Sequence, residues 1–458
     1  MTLALACLAC VPGRIAAEGE DDGSASATGS TSESEDGPIV ETGEGDSDSG
    51  DSDSGDDGPW GPGGCDSEGS LKWLDICDPG DPCDRVSCPA PLACLGGQCI
   101  EPAPTQACAG IELVDFTLPV EPHETGSGPL FADVDGVVGD ELISARGLDG
   151  RIEVVIAGEL VASWIMQETI HRITPMQLDG DGQLALLAYS YTVPPITRLL
   201  VGDGQGKFDD ALAQLPDGVE ARWPMALDYD NDGDHDILAQ VAQLGAQVYR
   251  NEGGAFAHVA TFGVDTRVGT AVDLDLDGFV DDAIFGGYPS PSVLLGEDGE
   301  LSYVGELPEP ERGPLLQYGV GRPLAADLDD DGFVEVVTVI ADGFGRIGAR
   351  IWWGLPNDGF DLPRDQLLFD DYHLETPSLV GFVDLDGQPP LELLIRRSDK
   401  LHYARPELEN RLPLACVATL LEGSFHVDPT IGDLDADGSL EIGLSNSSMV
   451  EVFSVVQP

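Results

Sequence analysis

At 458 residues the chain exceeds one ordinary domain and is long enough to bury a large core. Its 84 acidic residues against 21 basic ones, a formal charge of −63, exclude a nucleic-acid binder that works by neutralising phosphates. The same balance argues against unaided docking on anionic lipid, and abundant Gly, Asp and Pro among strand formers point to an all-β protein with many turns.

Residues 1–17 read as a leader. Thr2–Val11 is an apolar run of signal-peptide type, too short to span a bilayer. Two exits fit it. Leu-Ala-Cys10 or Leu-Ala-Cys7 resembles a bacterial lipobox, whereas cleavage after Ile15-Ala-Ala17 releases a soluble chain. The lipid-anchored form is preferred because residues 18–64 look like a tether. They contain no Lys or Arg and are dominated by Ser, Gly, Asp and Glu, as in Gly45–Gly55, so they cannot bury enough surface to offset chain entropy. A disordered, self-repelling acidic linker is expected there.

Residues 65–108 form a cysteine-rich module. Between Cys77 and Cys108 the spacings hold five, four, five, four and then eight residues, with no Cys-x-x-Cys pair of zinc-finger type. A disulfide knot in an oxidising compartment fits better than zinc. The run Cys83 to Cys99 loosely resembles the small EGF-like knots of secreted proteins. Six cysteines close such a knot, leaving one, Cys108 or Cys65, to reach Cys416 in the following domain.

From Ile111 onward the chain is periodic. Asp228-Tyr-Asp-Asn-Asp-Gly233, with Asp236 opening the next apolar run, sets three carboxylates at alternate positions on a curled loop and returns a fourth. Hard oxygen donors at this density repel one another unless a cation sits among them, and Ca²⁺ accepts that many at flexible angles. Asp273 to Asp281, Asp327 to Glu335 and Asp433 to Glu441 repeat the pattern. Degenerate copies stand in phase at Asp133-Val-Asp135-Gly with Glu141, at Asp179-Gly-Asp181-Gly, and at Asp384-Leu-Asp386-Gly with Glu392. First-ligand positions therefore fall at 133, 177, 228, 273, 327, 384 and 433, at intervals of 44, 51, 45, 54, 57 and 49. An EF-hand needs a chelating Glu at position twelve and flanking helices; Ala239, Ile284, Thr338 and Leu444 stand there inside β-type runs, which rejects it.

Each unit reads strand, Asp loop, strand, strand, Gly turn, strand, which is one blade of a β-propeller. The last unit lacks a strand, and Ile111–Val120 has no unit of its own, so it can complete the last blade and close the ring. The expected fold is all-β: a seven-bladed propeller over residues 111–458, preceded by the cysteine module and the linker.

These loops resemble FG-GAP or VCBS repeats, which build the propeller of integrin α subunits and of many bacterial surface proteins. The resemblance implies calcium ligands at Asp228, Asp230, Asp232 and Asp236, and at Asp273, Asp275, Asp277 and Asp281. It implies them also at Asp327, Asp329, Asp331 and Glu335, and at Asp433, Asp435, Asp437 and Glu441, with a backbone carbonyl at the seventh position. Departures at Val137, Gln177, Ala185 and Gln388 leave the first, second and sixth copies open. Bound Ca²⁺ would cancel part of the negative charge. The expected role of the ion is structural.

Elsewhere the bland readings prevail. Trp352-Trp353 and Trp223-Pro read as blade core rather than a sugar-stacking platform, and His235 as a solvated turn residue. No His-Glu-x-x-His, Gly-x-Ser-x-Gly, phosphate loop or dinucleotide fingerprint stands out. The resemblance implies a secreted or surface-tethered, monomeric scaffold for adhesion or recognition of an extracellular protein or glycan, without catalysis. The alternatives are an extracellular propeller enzyme, a lyase or hydrolase acting on polysaccharide, and an accessory envelope component; fold alone does not separate them.

Overall fold

The computed structural model describes residues 88–456 apart from loop interruptions, all within one compact unit, Pro79–Pro458. The leader, the acidic linker and the cysteine module as far as residue 87 lie outside the described residues. No helix occurs among the described residues.

Seven antiparallel sheets follow one another along the chain as blades, spanning 130–165, 172–210, 221–262, 269–306, 318–369, 378–422 and 430–456. Each has the strand order of a meander, so every strand pairs with its neighbours in sequence and short hairpins suffice. The fifth blade departs in two ways: its inner strand is split into Tyr318–Gly319 and Leu324–Ala326, and a small extra hairpin joins Gly354–Leu355 to Gly359–Phe360.

The seventh blade supplies three strands of its own, Thr430–Gly432, Glu441–Ser445 and Val450–Val456. Its outer strand is Glu112–Phe116, paired antiparallel from Glu112↔Val456 to Phe116↔Val452. The first propeller strand thus completes the last blade, as the sequence led us to expect.

The amino-acid pattern explains the packing. Middle strands such as Leu184–Ser190 and Glu335–Ala341 are buried nearly throughout, because both faces of a blade meet a neighbour, so they read as continuous apolar runs. Outer strands such as Glu159–Ile165 are largely exposed to water. Each of the seven seams between blades holds its own apolar cluster. Ile143 meets Leu186 between the first and second blades, Leu187 meets Ile237 between the next pair, and Leu238 meets Phe285 after that. Ile284 with Val336, Val337 with Leu393, and Leu394 with Ile442 continue the series. Phe131, Leu142, Val155 and Val452 close the ring between the seventh and first blades. Four buried side chains of this kind contribute roughly 6–12 kcal/mol of gross transfer free energy, which favours a closed ring over an open array with two bare sheet faces.

The segment before the propeller runs along its outer rim. A hairpin of Ala93–Leu95 and Gln98–Ile100 is crosslinked by Cys88–Cys99 and seats Leu95 and Ile100 on Ile340 and Leu367 of the fifth blade. The Leu367 N–H donates to the Glu101 carbonyl at 2.8 Å. Cys108 then bonds Cys416 in the outer strand of the sixth blade, so of the two cysteines that fitted this role it is Cys108 that fills it. Trp352 and Trp353 are core, as expected: both are buried, and their indole N–H groups donate to Pro308 and Arg411 carbonyls.

Candidate metal centres

The acidic loops of six blades connect the inner strand to the second strand, and the four full copies share one backbone course; residues 180–183 of the second blade's loop lie outside the described residues. The first Asp turns its carboxylate back on its own loop. Asp228 Oδ1 accepts from the Asp232 N–H and Oδ2 from the Gly233 N–H, both at 3.1 Å. The same pair of bonds recurs at Asp273, Asp327 and Asp433. To make it, the fourth loop residue must adopt the left-handed conformation. Asn231, Leu276, Asp330 and Ala436 sit there with φ of 58, 58, 58 and 59°. A left-handed non-glycine residue costs roughly 1–2 kcal/mol, so four at one loop position mean that the surroundings enforce it. In the first and sixth blades Gly136 and Gly387 fill this position.

The ninth loop residue opens the second strand and holds the loop from below. Asp236 Oδ2 accepts from the Tyr229 N–H at 2.6 Å, Glu335 Oε2 from Leu328, and Glu441 Oε2 from Leu434, the last two at 2.8 Å. Glu141 and Glu392 do the same for Val134 and Leu385. In the fourth blade the residue in this place is Asp282 rather than Asp281. Asp282 Oδ2 accepts from the Leu274 N–H at 2.6 Å, and Val272 pairs with Asp282 where Ala326 pairs with Glu335. That loop is one residue longer. The apolar run directly after Asp282 (Ala-Ile-Phe) carries the signal, because each of the other anchors also stands immediately before its strand's apolar residues.

Carboxylate oxygens of Asp228, Asp230 and Asp236 lie within 4.8 Å of one another, as do those of Asp327, Asp329 and Glu335, and those of Asp273, Asp275 and Asp277. The first and sixth blades gather Asp133, Asp135 and Glu141, and Asp384, Asp386 and Glu392, in the same way. The fifth-position acids Asp232 and Asp331 are exposed and stand outside these groups, capping the Asp234 and Phe333 N–H groups instead. In the seventh blade Asp437 likewise caps Ser439, and Asp435 accepts from the Asp437 N–H.

Burial and mutual repulsion push the anchor carboxyls and Asp228 upward. Burial first, then neighbouring acids, takes Asp228 to about 6 and Asp236 to about 7. The same causes take Asp282, Glu141 and Glu441 to about 7 and Glu335 to about 8. Asp234 is raised too, by burial and then by Asp232. Several oxygens are also buried without a hydrogen-bond partner: Asp230 Oδ1, Asp329 Oδ1 and both oxygens of Asp281. The Asn231 amide stands close enough to Asp281 to favour its charge, yet outside hydrogen-bonding geometry, and burial still takes that carboxyl to about 6. An unpartnered buried polar oxygen costs about 1–3 kcal/mol, more when charged. Clustered hard oxygens lacking donors are the set a hard divalent cation satisfies, so the residues present fit a metal ion.

The loops also stitch seams. The Asp228 N–H donates to the Val280 carbonyl of the next blade at 3.0 Å, and Asp433 and Asp140 exchange bonds across the closing seam. His235 is not the solvated turn residue expected from sequence. Its Nδ1 accepts from the Gln177 N–H at 3.1 Å while its own N–H donates to the Gln177 carbonyl, tying the third blade to the second. Burial pushes its pKa down, and an accepting Nδ1 makes it the neutral tautomer protonated on Nε2. Trp223 is only partly buried and takes φ of 52° at a bulge between Arg222 and Met225, beside Tyr189.

Together the strand pairing and the loops define a closed seven-bladed β-propeller with acidic loops at the same corner of its blades. No family model matches the sequence, and no curated protein matches it. Among solved structures the chain is similar to BBS1N in its complex with ARL6DN, soaked with mercury: 11% identity, 76% of this chain and 98% of that one, TM-score 0.48. It is similar also to U3-55K, at 10% identity over 76% and 100% with a TM-score of 0.45. The biofilm matrix protein Bap1 of V. cholerae follows at 11% over 76% and 92%, TM-score 0.38. The architecture rests on the strand pairing and the seams, not on these likenesses.

Proposed function

We propose that the protein is a calcium-stabilised propeller that works outside the cytoplasm as a rigid scaffold for recognising an extracellular protein or glycan. One observation carries the metal part of this reading: a carboxylate cluster recurs at the same corner of the first, third, fourth, fifth and sixth blades, with buried oxygens of Asp230 and Asp329 in the third and fifth that no protein donor reaches. All-oxygen clusters on flexible loops favour Ca²⁺ over the octahedral, tightly hydrated Mg²⁺. The Cys88–Cys99 and Cys108–Cys416 disulfides support an oxidising compartment, where millimolar calcium can fill sites with dissociation constants of roughly 10⁻⁴–10⁻³ M.

The recognition role follows from how the fold divides its labour. Apolar clusters fill the seams of the ring, so loop residues that make no seam contact are available at the blade ends to meet a partner. The ion would then fix the loops rather than do chemistry. The test is a glycan and surface-protein binding screen on the full chain, with and without EDTA, alongside metal analysis and a melting curve. Calcium-dependent capture with a lower melting temperature in EDTA is expected. A metal-free protein whose melting curve ignores EDTA would overturn the calcium reading.

A further inference from the structure

We propose that Arg405 is the resident cation of the sixth blade, so that this loop folds on a guanidinium where its counterparts in the third, fourth and fifth blades fold on a metal ion. The inference rests on the calcium reading above and adds which loop does not follow it.

The sixth loop has the carboxylate geometry of the others. Asp384, Asp386 and Glu392 gather within the same 4.8 Å, and the Leu385 N–H donates to Glu392 Oε2 at 2.8 Å. What differs is the third strand. Register Leu393↔Ala404 sets Arg405 opposite Glu392, and its side chain lies over the loop. Nε donates to Glu392 Oε1 at 2.9 Å, while Nη2 contacts both that oxygen and Asp386 Oδ2. Two carboxylates are thus bridged by one planar cation, the geometry in which Arg outperforms a point charge.

Comparison within the molecule separates this loop from its neighbours. Asp230 and Asp329 each keep a buried oxygen without a donor, whereas the acids of the sixth loop, like those of the first and seventh, keep none, and in the sixth a guanidinium stands among them. The position facing the anchor acid is Ile156, Leu295, Trp353 and Ser454 in the first, fourth, fifth and seventh blades, none of them a cation. In the third blade it is Arg250, but Arg250 turns outward to Glu252, and its Nη1 stays 3.9 Å from Asp230 Oδ2. A divalent ion entering the sixth loop would meet the guanidinium at contact distance, so it must displace Arg405 first.

The experiment counts bound metal in the full chain by elemental analysis and terbium luminescence, for the wild type, Asp384→Asn and Arg405→Met. Asp384→Asn keeps the oxygen that accepts from Gly387, so it is expected to fold and to bind as many ions as the wild type. Arg405→Met is expected to bind one ion more and to gain a chelator-sensitive step in its melting curve. Loss of one ion in Asp384→Asn, or a folded Arg405→Met with no gain, overturns the assignment while leaving the calcium reading intact. A wild-type chain that binds no metal overturns both. If Arg405→Met does not fold, the ion count of Asp384→Asn decides alone.

Discussion

Replacing Glu335 by Gln separates a buried hydrogen-bond acceptor from a metal ligand, because the two roles respond oppositely to calcium. Glu335 is fully buried; one oxygen accepts from Leu328 and the other from Gly354 at 3.3 Å. Burial, together with Asp329 and Asp331, lifts its carboxyl to about 8. In the metal-free protein at pH 7 the group is therefore largely protonated when folded and ionised when unfolded, a mismatch of about 3 kcal/mol against folding. Gln mimics the protonated form and removes that mismatch, at a cost of about 1 kcal/mol for exchanging an acceptor oxygen for an amide N–H. In EDTA, Glu335→Gln should thus be neutral or stabilising by roughly 1–2 kcal/mol.

In 10 mM calcium that advantage is cancelled or reversed. A site with a dissociation constant of roughly 10⁻⁴–10⁻³ M contributes about 1.4–2.7 kcal/mol there, and the variant loses most of it. Thermal melts of wild type and variant, each in calcium and in EDTA, close a cycle whose coupling should be about 1.4–2.7 kcal/mol, read as a few degrees in a ring this large. Equal shifts in both buffers would refute the reasoning, since a purely structural Glu335 has no reason to sense the ion.

The pH response should likewise invert with metal. In EDTA, Asp236, Glu141, Glu441 and Glu335 hold protons that the unfolded chain has released, so stability should fall as pH rises from about 4 to 8; a metal-free melting temperature that climbs over that window contradicts it. With calcium bound, protons compete with the ion, and melting temperature should rise from pH 5 to 7. Changing Cys108 and Cys416 together to Ser releases a crosslink spanning 308 residues, with an entropic ceiling of roughly 5–6 kcal/mol and an expected loss of about 4; an unmoved denaturation midpoint under oxidising conditions would show that rim packing alone holds the segment. His235→Ala should cost about 1–2 kcal/mol by leaving the Gln177 N–H without its acceptor, and Asn at that position should recover part of it. Matching melts for Ala and wild type would remove His235 from the seam.

The ring was legible because its physics is periodic. Seven loop positions in phase fixed the blade count, and a last unit short of one strand pointed to Ile111–Val120 as the missing edge, which Glu112–Phe116 supplies. Trp352 and Trp353 were placed correctly because two adjacent indoles inside a β run have few places to go but a seam. The misreadings share a cause. His235 looked solvated because its neighbours in sequence are Asp234 and Asp236, yet its partner, Gln177, belongs to another blade. Asp282 escapes a nine-residue spacing because its loop is one residue longer, and strand pairing shows which acid stands at the ladder.

The loop chemistry was legible to a lesser depth, for a reason that applies to repeats in general. A loop's own residues state how much negative charge converges, but not what neutralises it. That depends on the residue facing the anchor on the third strand, Ile156, Arg250, Leu295, Trp353, Arg405 or Ser454, at variable distance along the chain. The sixth loop, degenerate in sequence, gathers its acids as tightly as the full copies do, yet it carries a guanidinium among them. What neutralises a copy's acids is thus set by the cross-strand side chain and the way it turns as much as by the Asp spacing: Arg405 lies among its loop's carboxylates, while Arg250 at the same position pairs with Glu252.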